Sequence, residues 1–175
     1  MATVKWVLDP THSELQFKVK HLMITTITGS IKSFSATLTA EGEDFEHAEI
    51  TFNGDINSID TGNTDRDNHL KSVDFFNSEQ FPNLTFKSKS VEKDGSDYLI
   101  KGDLSIKGQT RPIQLAAELG GIATDPWGNT KAGFTLSGKI NRTDFGLTWN
   151  TAIEGGGVMV SEEVRLLGEL QFVKQ

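Results

Sequence analysis

Asp60-Thr61-Gly62, preceded by Ser58-Ile59, is the first place in this chain where residue types could do chemistry, because a DTG tripeptide is the signature of aspartic proteases. That chemistry needs two carboxylates sharing one proton at close range. The chain holds a single DTG, so a protease would have to be a symmetric dimer. The plainer reading, which we adopt, is that Asp60 ends a strand and Gly62 turns the chain. The four histidines, His12, His21, His47 and His69, show no paired metal-ligand spacing, and Asp65-x-Asp67-x-His69 lacks the glycine and distant glutamate of a calcium loop. No serine stands in a G-x-S-x-G turn, no P-loop spacing occurs and there is no cysteine. The expectation is therefore no metal, no cofactor and no catalytic residue. The enzyme alternative rests on His69 as general acid or base, oriented by Asp67 or Arg66. Arg66 itself admits two readings: a guanidinium fork offered to an anionic head group, or local pairing with Asp65 and Asp67.

These residues sit in Thr64–Phe86, TDRDNHLKSVDFFNSEQFPNLTF, a stretch that breaks the pattern of its surroundings. Most of the chain alternates apolar and polar residues. In Ser13–Met23, Leu15, Phe17, Val19, His21 and Met23 share one parity while Glu14, Gln16, Lys18 and Lys20 take the other, as in a strand with one buried face. Further strands are expected over Gly29–Ala40, His47–Ile59, Leu84–Glu92, Tyr98–Ile106, Arg111–Leu119, Lys131–Asn141 and Val164–Val173. Turn signals at Lys93-Asp94-Gly95-Ser96, Lys107-Gly108-Gln109-Thr110 and Asp125-Pro126-Trp127-Gly128-Asn129 join them as antiparallel neighbours. The fold class is all-β: an antiparallel up-and-down barrel of about eight strands, a size that holds side chains or one small ligand. Within the irregular stretch a short helix capped by Thr64 is expected, with Asp65 and Asp67 in its first turn and Leu70 and Val73 on one side near Phe76. Pro82 stops it before the next strand. Such an insertion would lie across the side or mouth of the barrel.

At 175 residues the chain is read as one domain, residues 1–175. A formal charge of −7 opposes nucleic acid and anionic membrane surfaces as partners. The N-terminus MATVKWVLDPTH carries no secretory leader pattern and nothing downstream is long enough to span a bilayer, so integral membrane association is not expected and the location is read as cytoplasmic, periplasmic only if a leader has been lost.

The run Ser58–Ser88, SIDTGNTDRDNHLKSVDFFNSEQFPNLTFKS, followed by GDLSIKGQTRPIQL, NRTDFGLTWN and GGGVMVSEEVRLLGELQF, resembles the YceI-like family. The opening WVLDPTHSELQFKVKHLMITTITGSIKSFS, with its S-x-L-x-F-x-V-x-H strand, is similar to that family too, so the likeness runs from about Trp6 to Phe172. It implies a lipocalin-like barrel with an elongated apolar cavity, a polyisoprenoid or other long-chain amphiphile as ligand, and a homodimer. The function expected is binding, as storage, transport or sequestration, without catalysis. The residues assigned to the ligand are Leu15, Phe17, Val19, His21, Arg66, His69, Leu70, Phe75, Phe76, Phe81 and Phe86, with Arg66 and His69 near the head and the phenylalanines along the tail. A filled barrel working as a protein-interaction module is the remaining alternative, because sequence does not say whether the inward faces enclose a cavity or fill it.

Overall fold

Strand-forming alternation dominates the chain, and a computed structural model, describing residues 3–150 and 160–175, turns it into a closed barrel. The strands are β1 (Thr3–Leu8), β2 (Glu14–His21), β3 (Thr25–Ile31), β4 (Phe34–Glu41), β5 (Asp44–Asp55), β6 (Ile59–Asp60), β7 (Asn83–Asp94), β8 (Asp97–Ile106), β9 (Gln109–Thr124), β10 (Thr130–Asn141) and β11 (Glu163–Lys174), with one helix, α1 (Thr64–Lys71), between β6 and β7. Strands β1, β4, β5, β7, β8, β9, β10 and β11 follow one another around the wall, and β11 returns to β1 to close a ring of eight. Every pairing among the described residues is antiparallel.

The short strands are halves of longer ones. β11 pairs with β1 through Phe172–Lys174 and with β2 through Arg165–Glu169, so β1 and β2 form one wall strand broken at residues 9–13. Pro10 has no N–H to give a ladder, and the Asp9 side chain caps the 3-10 turn Pro10–His12. The chain bends again between β3 and β4 and, beside it, at the 3-10 turn Ile56–Ser58 between β5 and β6. These corners are tied together by Lys32 N–H to Ser58 O, 3.2 Å, and Asp55 N–H to Ser33 O, 2.9 Å. Counted as bent wholes, the wall is an eight-strand meander.

Several expectations need correction. Thr3–Leu8 is a strand the pattern did not flag, the segment expected as one strand over Gly29–Ala40 is split at residues 32–33 between β3 and β4 by the corner there, and the one expected over His47–Ile59 begins at Asp44 and stops at Asp55 for the turn. The helix is capped by Asn63, whose Oδ1 accepts from Arg66 N at 3.0 Å, and Thr64 is its first residue. Val73 is off the helical face because α1 ends at Lys71 and Ser72 is extended, which leaves Val73 70 % exposed.

One end of the barrel is sealed. Phe45 sits edge-on to Trp6, Phe134 and Tyr98, with ring centroids at 5.2, 5.1 and 6.3 Å, and Phe134 meets Phe172 at 6.0 Å. Edge-to-face pairs of this kind add to the burial of large rings, and Trp6 is fully buried. The other end carries α1, the β2–β3 and β8–β9 turns and the 3-10 turn Arg142–Phe145. Among the described residues no helix is long and apolar enough to cross a membrane.

Asp9, at the break between β1 and β2, has its carboxyl lowered to about 2. The largest causes are the side-chain hydrogen bonds from Thr11 and His12. A depressed carboxyl contributes stability that is complete above its unfolded value, 3.8, and lost as pH falls through its folded value. Asp9→Asn should therefore flatten the acid limb of a melting-temperature profile between those two values and leave the profile above them parallel to wild type. An unchanged acid limb would show that Asp9 is not its source.

Candidate ligand-binding cavity

The inward parity of the strands does not fill the barrel. It lines a cavity of about 240 Å³, more than ten times the space one water needs. Its floor is the aromatic seal, Phe45, Tyr98, Phe134 and Phe172. Its walls are Leu15, Phe17 and Val19 from β2, Ala36 and Leu38 from β4, Ile50 and Phe52 from β5, Phe86 and Val91 from β7, Ile100 and Leu104 from β8, and Leu166 and Leu170 from β11. Its cover is Leu70, Phe75, Phe76 and Leu147. Among the described lining residues, only Gln16, Tyr98 and Arg142 carry polar side-chain groups.

Local chemistry explains the wall. Phe17 pairs with Gly29 on β3, and its ring lies across that glycine: a Cβ at Gly29 would stand 2.2 Å from the Phe17 ring. Any side chain there would push Phe17 into the cavity, so the glycine sets the width at that level.

The cover is held by polar contacts. Arg66 Nε donates to Thr61 Oγ1 at 2.7 Å and an Nη donates to Thr61 O at 2.6 Å, while Asp67 accepts from Thr61 N–H at 2.9 Å. Gly62, at φ +83°, turns the chain into the helix, and its N–H donates to Asp60 Oδ1 at 2.9 Å. His69 Nε2 lies 2.9 Å from Asp74 Oδ2, and its ring meets Phe75 and Trp149 edge-on at 5.1 and 4.8 Å.

Of the residues assigned from sequence, Leu15, Phe17, Val19, Leu70, Phe75, Phe76 and Phe86 come together around the cavity. His21, Arg66, His69 and Phe81 are outside its lining. His21 ends β2 and bridges to Val160, and Phe81 packs over Gly108, where a Cβ would come within 3.0 Å of its ring. Among the described residues no group of three or more His, Cys, Asp or Glu is placed to hold a metal ion.

Arg142 was not anticipated. It is 4 % exposed, lines the cavity, and spends its guanidinium on backbone carbonyls: Nε on Ser161 O at 2.9 Å, and the Nη atoms on Leu147 O, Trp149 O and Val160 O. Burial pulls its pKa below the usual arginine value, with Glu162 opposing. The guanidinium thus ties residues 147–149 to 160–161 beside the cover. The only sequence signal is its setting in Asn141–Gly146, where Asn141 caps a turn that Gly146 ends at φ +76°.

An antiparallel eight-strand barrel with an apolar cavity and a short helical cover defines a class of protein. The YceI-like domain model matches residues 6–172, and the chain belongs to that family. The chain is 38 % identical over 169 residues to a UPF0312 protein of Staphylococcus epidermidis, covering 96 % of each. Among solved structures, the Campylobacter jejuni YCEI protein matches with a TM-score of 0.77 at 35 % identity, covering 89 % of this chain and 90 % of that one. A polyisoprenoid binding domain from Saccharophagus degradans matches with a TM-score of 0.67 at 18 % identity, over 97 % of this chain and 98 % of that one, a likeness of fold. Of the motifs that carried the sequence resemblance, residues 155–159 lie outside the described residues.

Proposed function

We propose that this protein binds a long-chain amphiphile, a polyisoprenoid or an acyl lipid, with its tail in the barrel, and that it stores, carries or sequesters that molecule without transforming it. The observation that carries this reading is the barrel cavity of about 240 Å³ with an almost wholly apolar lining. The fold shared with a domain described as polyisoprenoid binding supports it. The volume lies just below the range of drug-sized sites, about 300–1,000 Å³, which favours one chain threaded lengthwise over a bulky ring system. The head group would emerge past α1. There Arg66 and His69 are committed to Thr61 and Asp74, so contact with a head group requires exchanging those hydrogen bonds. A cytoplasmic homodimer remains part of the reading, checked by sedimentation of the purified chain and by fractionation of cells.

A homologous series of single-chain amphiphiles tests it. Each added methylene buried in the wall should strengthen binding by about 0.8 kcal/mol, roughly fourfold in Kd, until the chain outruns the cavity and the affinity levels off. Affinity independent of chain length in a calorimetric titration would place the ligand outside the barrel.

A further inference from the structure

The β2–β3 hairpin ends in Leu22-Met23-Ile24, and nothing in the barrel accounts for that tip. Leu22 and Met23 both have positive φ, +53° and +61°, at the centre of a three-residue connection closed by Ile24 N–H to His21 O at 3.1 Å, positions where glycine or asparagine is the ordinary choice. Met23 is 52 % and Ile24 77 % exposed, so Met23 holds a costly backbone conformation and, with Ile24, faces water.

The β2 side of the hairpin joins the wall through β11 and, near the tip, through the His21–Val160 bridge and Ser161 N–H to Lys20 O at 3.0 Å, while its β3 side is open. β6 meets β3 only at Ser30 and Ile31, so among the described residues no strand covers the outer edge of Thr25–Gly29. Its charge is unlike that of the chain. Residues 15–40 contain no Asp or Glu, in a protein of net charge −7, and carry Lys18, Lys20, Lys32 and His21. Charges farther than a Debye length of about 8 Å from the tip are largely screened, and because α1 with Asp65 and Asp67 shares this end of the barrel, the approach must present the lysines rather than the helix to the surface. The strand leading to the tip is the one whose Leu15, Phe17 and Val19 line the cavity.

We propose that Leu22-Met23-Ile24 is a membrane-docking tip that enters the headgroup region of a bilayer containing anionic phospholipid, with Lys18 and Lys20 over the phosphates, and so brings the cavity to a lipid source. This rests on the ligand-binding reading above. Apolar side chains beside lysines are what such an interface selects. A three-residue tip falls far short of the roughly 800 Å² per partner that a stable protein interface buries, which argues against a second copy as the occupant.

The test is flotation of the whole protein with vesicles of phosphatidylcholine alone and of phosphatidylcholine with phosphatidylglycerol. Wild type should float with the anionic vesicles. Met23→Asp with Ile24→Asp should lose about tenfold or more of that partitioning. Lys18→Gln with Lys20→Gln should lose about fivefold per lysine, on anionic vesicles only. Both variants should keep the wild-type near-ultraviolet circular dichroism and the uptake of a fluorescent fatty acid supplied in solution, which separates docking from folding and from cavity binding. Wild type that stays with the aqueous phase while taking up the fatty acid overturns docking and leaves the cavity reading intact. Vesicle binding without fatty-acid uptake supports docking and overturns the cavity reading. A tip variant that floats like wild type, or that turns a dimer into a monomer in sedimentation, overturns docking.

Discussion

Arg142→Met should destabilise the fold by about 3–5 kcal/mol, the largest effect we expect from any single substitution outside the aromatic seal. The side chain is 4 % exposed and its guanidinium supplies donors to the carbonyls of Leu147, Trp149, Val160 and Ser161. Methionine fills much of the same apolar space and donates to none of them. Each hydrogen bond to a charged group is worth about 1.5–3 kcal/mol, and the sum is reduced because the cation no longer has to be desolvated. Arg142→Lys should recover less than half of the loss, since one ammonium cannot present the planar fork that reaches four carbonyls. Urea unfolding checks the magnitude, and hydrogen exchange should show faster exchange first at residues 147–150, before the barrel ladders open. A loss under about 1 kcal/mol would mean that water replaces the guanidinium and that the tie is not structural.

Ala36→Phe should do the opposite, leaving the fold intact and weakening the ligand. Ala36 is 7 % exposed on β4, opposite Phe52, with its methyl on the cavity. In a close-packed core such an enlargement would cost about 1–3 kcal/mol. Here the ring has the cavity to enter, so unfolding stability should stay within about 1 kcal/mol of wild type. If the ring displaces about four methylenes of a bound chain, binding falls by about 3 kcal/mol, on the order of a hundredfold in Kd. Retained affinity in a folded variant would show that the tail does not occupy this space.

The alternation in Ser13–Met23 is legible because a half-buried strand repeats every two residues, and that parity puts Leu15, Phe17 and Val19 on one face, the face that lines the cavity. Whether eight such faces fill a barrel or enclose a space was not legible, since it depends on volumes summed across strands distant in sequence. Gly29, which lets Phe17 lie flat, acts entirely through its cross-strand partner. The same limit hid Arg142: one arginine after a strand looks like any solvated charge, and its acceptors come from as far along the chain as Ser161. Arg66 stood between two aspartates in sequence, yet adjacent helical residues point in different directions, and its guanidinium turns to Thr61 instead. Thr3–Leu8 does alternate, with Val4, Trp6 and Leu8 on one parity, but the stretch is short and runs straight into the break at Pro10.

Native mass spectrometry of gently purified protein, followed by organic extraction and lipid identification, tests the central claim most directly. A stoichiometric long-chain molecule released on extraction, and restored by adding an isoprenoid or fatty acid to the stripped protein, is the expected result. An unliganded mass that persists after both additions would contradict it and leave the barrel to work through its surface.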